Sequence, residues 1–427
     1  MKFLYLLFFC CFMQLQAEPF STQIDAERAI LINAETGRVL FEKRAFEKAY
    51  PASLTKIATA LYALEQNLSL EEEVTAHASC LKVMSKSKKI EKDYRIKPYL
   101  LEPDGSHFWL RRGEKLSLYD LLCGVMVKSA NDAANVVAFH AGGGSIEAFM
   151  GGMNHYLKTL GCKDTHFVNP HGLHYPTHST TAYDMAQIVK KAMSNPDMMS
   201  LASIKKYYRP KTKMQGKQVV YSSNRLMLKG PFFYEKALGM KSGYIENAQY
   251  TLAAIAQDDS RTLIAVVLGC SSTQARYRDV IKLFDMAFAE ERVNRLVFNK
   301  SDALFSTKPR GAKKRVDAQL VSNVFLNYFP SERQNFEVKV HWNNAALPIE
   351  KDQDVGYVEL YEIESGAVIH REPFYAMDRV VSTLSFKIKR ALAHPFESSF
   401  SRLLWLSIIS AAVAVYLLRR RRPKPFR

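Results

Sequence analysis

At 427 residues and 48.6 kDa the chain is too long for one ordinary domain and points to two or three. With 48% hydrophobic and 24% charged residues it is composed like a folded globular protein, which excludes a largely disordered chain, a collagen-like repeat and a polytopic membrane protein. The formal charge of +17 is concentrated at the ends: six charges (Arg419 to Arg422, Lys424, Arg427) lie in the last nine residues and Lys2 at the start, leaving a mildly basic +10 over the body.

Lys2, the apolar run Phe3 to Met13 and Leu15-Gln16-Ala17 before Glu18-Pro19 predict a secretory signal peptide over residues 1–17, cleaved after Ala17. Leu7-Phe8-Phe9-Cys10 lacks the small residue that a lipoprotein signal carries before its cysteine. Ala29–Asn33 and Arg38–Glu42, joined by Ala34 to Gly37, predict a β-hairpin. Pro51 then opens a helix with Leu54, Ile57, Ala58, Leu61 and Leu64 on one face. Residues 82–97 hold Lys82, Lys86, Lys88, Lys89, Lys92, Arg95 and Lys97 with no apolar period, and predict a solvated loop rather than a nucleic-acid surface.

Helices are expected from Ser117 to about Met199, broken at Ser129-Ala130-Asn131 and by a loop from Thr165 to Thr180. From Lys241 the period changes to strands: Tyr250–Ala256 and Thr262–Leu268 flank Asp258-Asp259-Ser260 as a second hairpin, and Asp279 to Phe288 closes the domain as a helix. Beyond about Asn294, short runs such as Phe336–His341, Val355–Leu360 and Ala367–His370 predict a separate small all-β domain.

Val381, Leu384, Ile388 and Leu392 form one apolar stripe. The helix that carries it either lies on an anionic membrane surface or packs on the β domain. Leu403 to Leu418 is apolar except for Ser407 and Ser410, and as a helix spans about 24 Å. Arg402 and Arg419 can snorkel outward at its ends. The positive-inside rule places the tail 419–427 in the cytoplasm and everything before Arg402 outside. The expected divisions are therefore 1–17, a main domain 18–290, a β domain 291–378, an amphipathic segment 379–400, a span 403–418 and the tail 419–427. Cys80, Cys123, Cys162 and Cys270 are widely spaced, which argues against a zinc site; buried free thiols are the commoner reading, with one or two disulfides left open.

For chemistry, Ser53-Leu54-Thr55-Lys56 stands out. Positions three apart share a helix face, so Lys56 can reach the Ser53 hydroxyl. A lysine serves as a base only when desolvation or a nearby cation lowers its pKa. Ser-x-x-Lys also occurs at Ser85/Lys88 and Ser203/Lys206, but only the first opens a strongly periodic apolar helix. Ser129-Ala130-Asn131 is matched by a second Ser-x-Asn at Ser222-Ser223-Asn224, for which helix capping is the plainer reading. Lys241-Ser242-Gly243 is the chain's one Lys-Ser/Thr-Gly, and its glycine suits a ligand lying close along an edge strand.

In that order and spacing the three motifs resemble the active-site set of the penicillin-recognising serine acyl enzymes. The flanks Tyr50–Lys56, Lys128–Ala134, Phe167–Leu173 and Gly239–Gly243, with Leu347–Lys351 and Asp354–Gly356 further on, are similar to the low-molecular-mass D-alanyl-D-alanine carboxypeptidases, peptidase family S11. The similarity runs from about Arg28 to Ala376.

The resemblance implies an α/β fold, a penicillin-recognising transpeptidase/β-lactamase-like domain with an antiparallel sheet and helices, then a small all-β domain and a C-terminal membrane helix. It implies Ser53 as nucleophile, Lys56 as its base and Ser129 as a proton relay toward the leaving amine. Asn131 would hold the substrate amide, Lys241 and Ser242 the terminal carboxylate, and the N–H groups of Ser53 and Tyr244, beside Gly243, the oxyanion. Arg276 matches the carboxylate-binding arginine, with Arg278 its competitor.

The implied partners are peptidoglycan stem peptides ending in D-Ala-D-Ala, β-lactams and the cytoplasmic membrane, with no nucleic acid, metal or organic cofactor. The implied place is the cell envelope, with the catalytic domain on the outer side of the inner membrane. The chain departs from the subfamily at Ser242 (usually Thr), Tyr244 (usually His or Thr), Gln249 (usually Gly), in an insertion containing 82–97, and in a spanning rather than surface anchor. Three alternatives remain: an endopeptidase, a non-catalytic wall-binding scaffold, and a class A β-lactamase. The last needs a Glu-x-x-Leu-Asn, which this chain does not have between Asn131 and Lys241.

Overall fold

The computed structural model describes residues 20–332, 336–363, 366–394 and 397–420; the predicted signal peptide and the tail beyond residue 420 lie outside the described residues. The chain divides into two compact units, Glu18–Glu291 and one that takes in Arg292–Arg427.

The first unit is built on an antiparallel five-stranded sheet in the order Val39–Lys43, Arg28–Asn33, Thr262–Cys270, Gln249–Gln257, Ala237–Ile245. Side chains alternate across a strand, so one sequence feeds two cores. Ile30, Ile32, Ala253, Ile255, Ile264 and Val266 face the helices Thr55–Leu64, Asn131–Ala141, Ile146–Thr159 and Ala182–Met193. Ala29, Leu31, Leu252, Ala254, Leu263, Ala265 and Val267 face the helix Thr273–Phe288. Burial on both faces is why these strands are continuously apolar and not alternating. The Lys241-Ser242-Gly243 strand is left at the sheet's edge, beside the helical half.

The two hairpins fall where expected, within a residue or two of the predicted ends. The closing helix begins at Thr273, six residues before Asp279, because Ser272 caps it by accepting from the Ala275 N–H at 3.0 Å. Gln274, Arg276 and Arg278 interrupt the apolar period there and hide the start. The solvated-loop expectation for 82–97 is corrected. Lys86–Glu91 is a short helix capped by Ser85, and Lys89 is buried, donating to Leu100 O (2.6 Å) and Glu102 Oε1 (3.0 Å). A residue-by-residue count of charge cannot show that one lysine of six faces inward toward a carboxylate 13 positions on.

The second unit holds a five-stranded antiparallel sheet in the order Leu304–Thr307, Val316–Leu320, Val368–Ala376, Asp354–Glu362, Phe336–Trp342, around a core of Val316, Ala318, Val358, Leu360 and Phe374. The helix Leu384–Ala393 packs on it, though not through the predicted stripe. The Phe386 ring lies so close over Gly311 that a methyl there would stand 2.2 Å away, and Ala391 is buried, while Leu384 and Leu392 stay exposed. The packing reading thus applies to the face that carries Phe386 and Ala391. A helix Ser399–Arg420 follows, tied back by Trp405 Nε1 donating to Ala391 O at 2.9 Å. Its segment Ser399–Leu417, of mean hydropathy 1.8, is long and apolar enough to cross a membrane.

Candidate active site

Ser53 sits in a 3₁₀ turn, Ala52–Leu54, that opens the helix Thr55–Leu64. Ala52 has φ 50°, a left-handed conformation that costs a residue with a Cβ roughly 1–3 kcal/mol and persists only where the surroundings enforce it. Here Thr55 Oγ1 donates to Ala52 O (2.9 Å), Thr251 Oγ1 donates to Pro51 O (3.2 Å), and Gly172 packs against the Ala52 carbonyl.

Lys56, fully buried one turn after Ser53, donates to Ser53 Oγ (3.1 Å), Asn131 Oδ1 (2.7 Å) and His171 O (2.6 Å). Burial, then the neighbouring Lys241 charge, push its pKa well below the ordinary lysine value, with Asp132 opposing. The lowered pKa favours the neutral amine, a form in which two N–H groups remain: donated to the two shorter contacts, Asn131 and His171, they leave the lone pair facing Ser53. His171 is delivered by the loop Asn169-Pro170-His171-Gly172, in which Asn169 Oδ1 accepts from Gly172 N (2.7 Å) and Asn169 Nδ2 donates to Leu173 O (2.9 Å). Since Asn131 Oδ1 is committed to Lys56, Asn131 can offer a ligand only its Nδ2.

Ser129 is presented by a π-turn, Gly124–Lys128, that ends with Ser129 at φ 63°, a local distortion of the kind that recurs at functional sites. Asp132, next to Asn131, accepts from the N–H groups of Phe108 (2.9 Å) and Leu110 (3.0 Å) and fixes the facing loop.

Opposite, Lys241 Nζ donates to Ser242 O (2.9 Å) and Ser223 Oγ (3.3 Å), and Ser242 Oγ donates to Ser223 O (3.1 Å). Burial first, then Arg276, push the Lys241 pKa down to about 7. Gly243 has ordinary strand geometry, so space and not φ demands a glycine. A Cβ there would stand 2.8 Å from Ser53 N and 2.6 Å from Thr251 Oγ1, filling the space in front of the Ser53 N–H. Arg276 Nη1 donates to Gly243 O (2.8 Å), whereas Arg278 lies in a different pocket, with Phe232 and Ile281. Geometry therefore separates the two arginines.

The rim carries the departures. Tyr244 is exposed, its ring 4.4 Å from that of Tyr250, and Gln249 sits at φ 54°, a strained conformation for a side chain that a glycine would adopt freely. The segment 82–102 reaches the same rim. Tyr94, itself at φ 55°, sets its ring edge-on to His174 (5.3 Å), whose ring meets Tyr50 (4.7 Å), and Lys86 forms an ion pair with Glu246.

Ser53, Lys56 and Asn131 are thus joined in one hydrogen-bonded cluster, Lys241 and Ser242 in another around Ser223, and Arg276 is joined to Gly243. Sequence reasoning missed Ser223 and the His171 carbonyl. The Ser222-Ser223-Asn224 motif does contain a cap, Asn224 Oδ1 accepting from Leu226 N at 3.1 Å, but Ser223 itself belongs to the site. The other two Ser-x-x-Lys motifs are structural: Ser85 is a helix cap and Ser203 Oγ donates to Ser200 O. Among the described residues, Asp25, Cys270 and Asp279 form a group of metal-ligating size. Its carboxylates are already taken by the N–H groups of Ala26 (2.7 Å) and Ser271 (2.7 Å). Cys80, Cys123, Cys162 and Cys270 are free and buried.

The sequence matches the peptidase S11 family, D-alanyl-D-alanine carboxypeptidase, over residues 13–272. It is 30% identical over 360 residues to D-alanyl-D-alanine carboxypeptidase DacF of Bacillus subtilis (strain 168), covering 83% of this chain and 85% of that protein. Penicillin binding protein 5 from Haemophilus influenzae matches with a TM-score of 0.56 at 25% identity, over 85% of this chain and 99% of that one. The Streptomyces K15 DD-transpeptidase matches with a TM-score of 0.54 at 28% identity, over 63% of this chain and 99% of that one. The expected fold class holds: an antiparallel sheet flanked by helices, a β-rich second unit and a C-terminal apolar helix.

Proposed function

The chain belongs to the D-alanyl-D-alanine carboxypeptidase family, peptidase S11, and from that membership we propose that it removes the terminal D-alanine from peptidoglycan stem pentapeptides through a penicillin-sensitive acyl-enzyme on Ser53. The observation that carries this reading is Lys56: fully buried, depressed in pKa and 3.1 Å from the Ser53 hydroxyl.

The substrate lies along the edge strand Ala237–Ile245, its carboxylate held by Ser242 and by the positive potential of Lys241 and Arg276. Neutral Lys56 takes the Ser53 proton, and Ser53 Oγ attacks the carbonyl of the penultimate D-alanine. The N–H groups of Ser53 and Tyr244 receive the oxyanion; a removed donor of this kind typically costs about 10²–10³ in rate. Ser129 relays a proton to the departing amine, D-alanine leaves, and water, deprotonated in turn by Lys56, hydrolyses the ester. A β-lactam takes the same path as far as the acyl-enzyme.

The signal peptide and the apolar helix Ser399–Leu417 support an exported domain tethered by its C-terminus to the cytoplasmic membrane, with the division at 18–290 and 291–378 as its domain plan. The test is D-alanine release from a stem pentapeptide by the full chain in detergent, with and without penicillin, beside Ser53→Ala. Penicillin-sensitive release, absent with penicillin labelling in a folded Ser53→Ala protein, is expected. Labelling that persists in that variant overturns the assignment.

A further inference from the structure

We propose that Lys86 and Glu246 together form a subsite for the zwitterionic side chain of a diamino dicarboxylic acid in the stem peptide, Lys86 taking its carboxylate and Glu246 its ammonium. The inference rests on the carboxypeptidase reading above and extends it to the third residue of the substrate.

The two charges come from distant parts of the chain, 160 positions apart, and meet where the edge strand ends. Glu246 follows the edge strand directly. Side chains alternate along a strand, so Ser242 and Tyr244 share a face, and Glu246 opens the turn that follows Ile245. A peptide whose carboxylate sits on Ser242 runs antiparallel along this edge. Its third residue from the C-terminus then comes opposite Tyr244 and Ile245, one long side chain short of Glu246. In peptidoglycan that residue is a diamino acid whose side chain ends either in an amine alone or in an amine and a carboxylate. A lone acidic residue would suit the first; an adjacent cation and anion suit the second.

Lys86 is held there by a built segment. The buried Lys89–Glu102 pair anchors the short helix Lys86–Glu91, a bridge joins Val83 to Leu101, and Tyr94 wedges edge-on against His174 and Tyr175. The pair itself is exposed, with 38% of the Lys86 and 75% of the Glu246 side chain open to solvent. An exposed ion pair is weak and exchanges partners readily. A ligand with both charges can therefore replace one pair by two, whereas a lysine side chain leaves Lys86 without a partner.

The experiment compares kcat/KM of the full chain for two stem pentapeptides that differ only at residue three, meso-diaminopimelate or L-lysine. The wild type is expected to favour the diaminopimelate peptide by about three- to fivefold, through KM. Lys86→Ala brings the two within about twofold, and Lys86→Glu, which leaves two carboxylates at the site, reverses the preference. A merely structural role for the pair lowers both peptides equally, and that result, or a wild type indifferent to residue three, overturns the subsite while leaving the carboxypeptidase reading standing. Release of D-alanine from neither peptide overturns both.

Discussion

Gly172 and Ala52 meet so closely that a methyl built on Gly172 would stand 1.9 Å from the Ala52 carbonyl oxygen. This contact braces the left-handed Ala52 from behind and fixes the turn that carries Ser53. The same glycine follows His171, whose carbonyl holds Lys56, so one backbone segment positions both the proposed nucleophile and its proposed base. Gly172, at φ +86°, is also a position where any side chain is strained. Gly172→Ala is therefore expected to lower the melting temperature by several degrees and the rate of penicillin acylation by more than tenfold, measured by calorimetry and by a fluorescent penicillin.

Asn131→Asp tests the electrostatics of the base. A carboxylate 2.7 Å from Lys56 Nζ would favour the charged amine and undo the depression that burial creates. Acylation at pH 7 should fall on the order of 10²-fold, and the acid limb of its pH profile should move to higher pH. An unchanged profile would remove Lys56 as the base.

Lys241 predicts opposite effects on activity and stability. In the folded chain it titrates at about 7, against 10.5 ordinarily, so between those values the unfolded chain holds a proton that the folded chain does not. Stability therefore rises with pH across pH 7 to 10.5, and the full cost of burying this lysine is present at and below pH 7. Lys241→Met should stabilise by about 1–4 kcal/mol at pH 7 and by little near pH 10.5, while raising KM for a D-Ala-D-Ala peptide at least tenfold. Denaturant melts at both pH values check it. In the wild type, KM should climb above about pH 7 as Lys241 loses its charge.

Gly243→Ala isolates the oxyanion pocket. The backbone there tolerates alanine, but its methyl would crowd Ser53 N and Thr251 Oγ1. The expected result is a folded protein with a lowered melting temperature and kcat lowered by about 10²–10³.

Much of this was legible because it is local. Ser53 and Lys56 share a helix turn, and the continuous apolar runs at 250–256 and 262–268 declare strands covered on both faces. What escaped depends on distance along the chain. Ser223 meets Lys241 across 18 residues and His171 meets Lys56 across 115, and neither spacing leaves a periodic trace. Lys89 looked like its neighbours because burial of a single lysine is decided by Glu102 and Leu100, not by composition. The helix Leu384–Ala393 shows its stripe at Leu384, Ile388 and Leu392, yet Phe386 and Ala391 make the packed face, since Gly311 leaves room for the Phe386 ring.

The four buried thiols give the protein a built-in unfolding gauge. Burial pushes Cys80 up to about 11 and Cys123 and Cys162 up to about 12, so each is protonated at neutral pH as well as shielded. A thiol reagent added to native protein has almost nothing to attack among these positions, and every molecule that opens exposes them at once. Alkylation at these four positions followed by mass measurement therefore counts opened molecules directly, and the chain should reach its native state under reducing conditions with no bridge to form among the described cysteines.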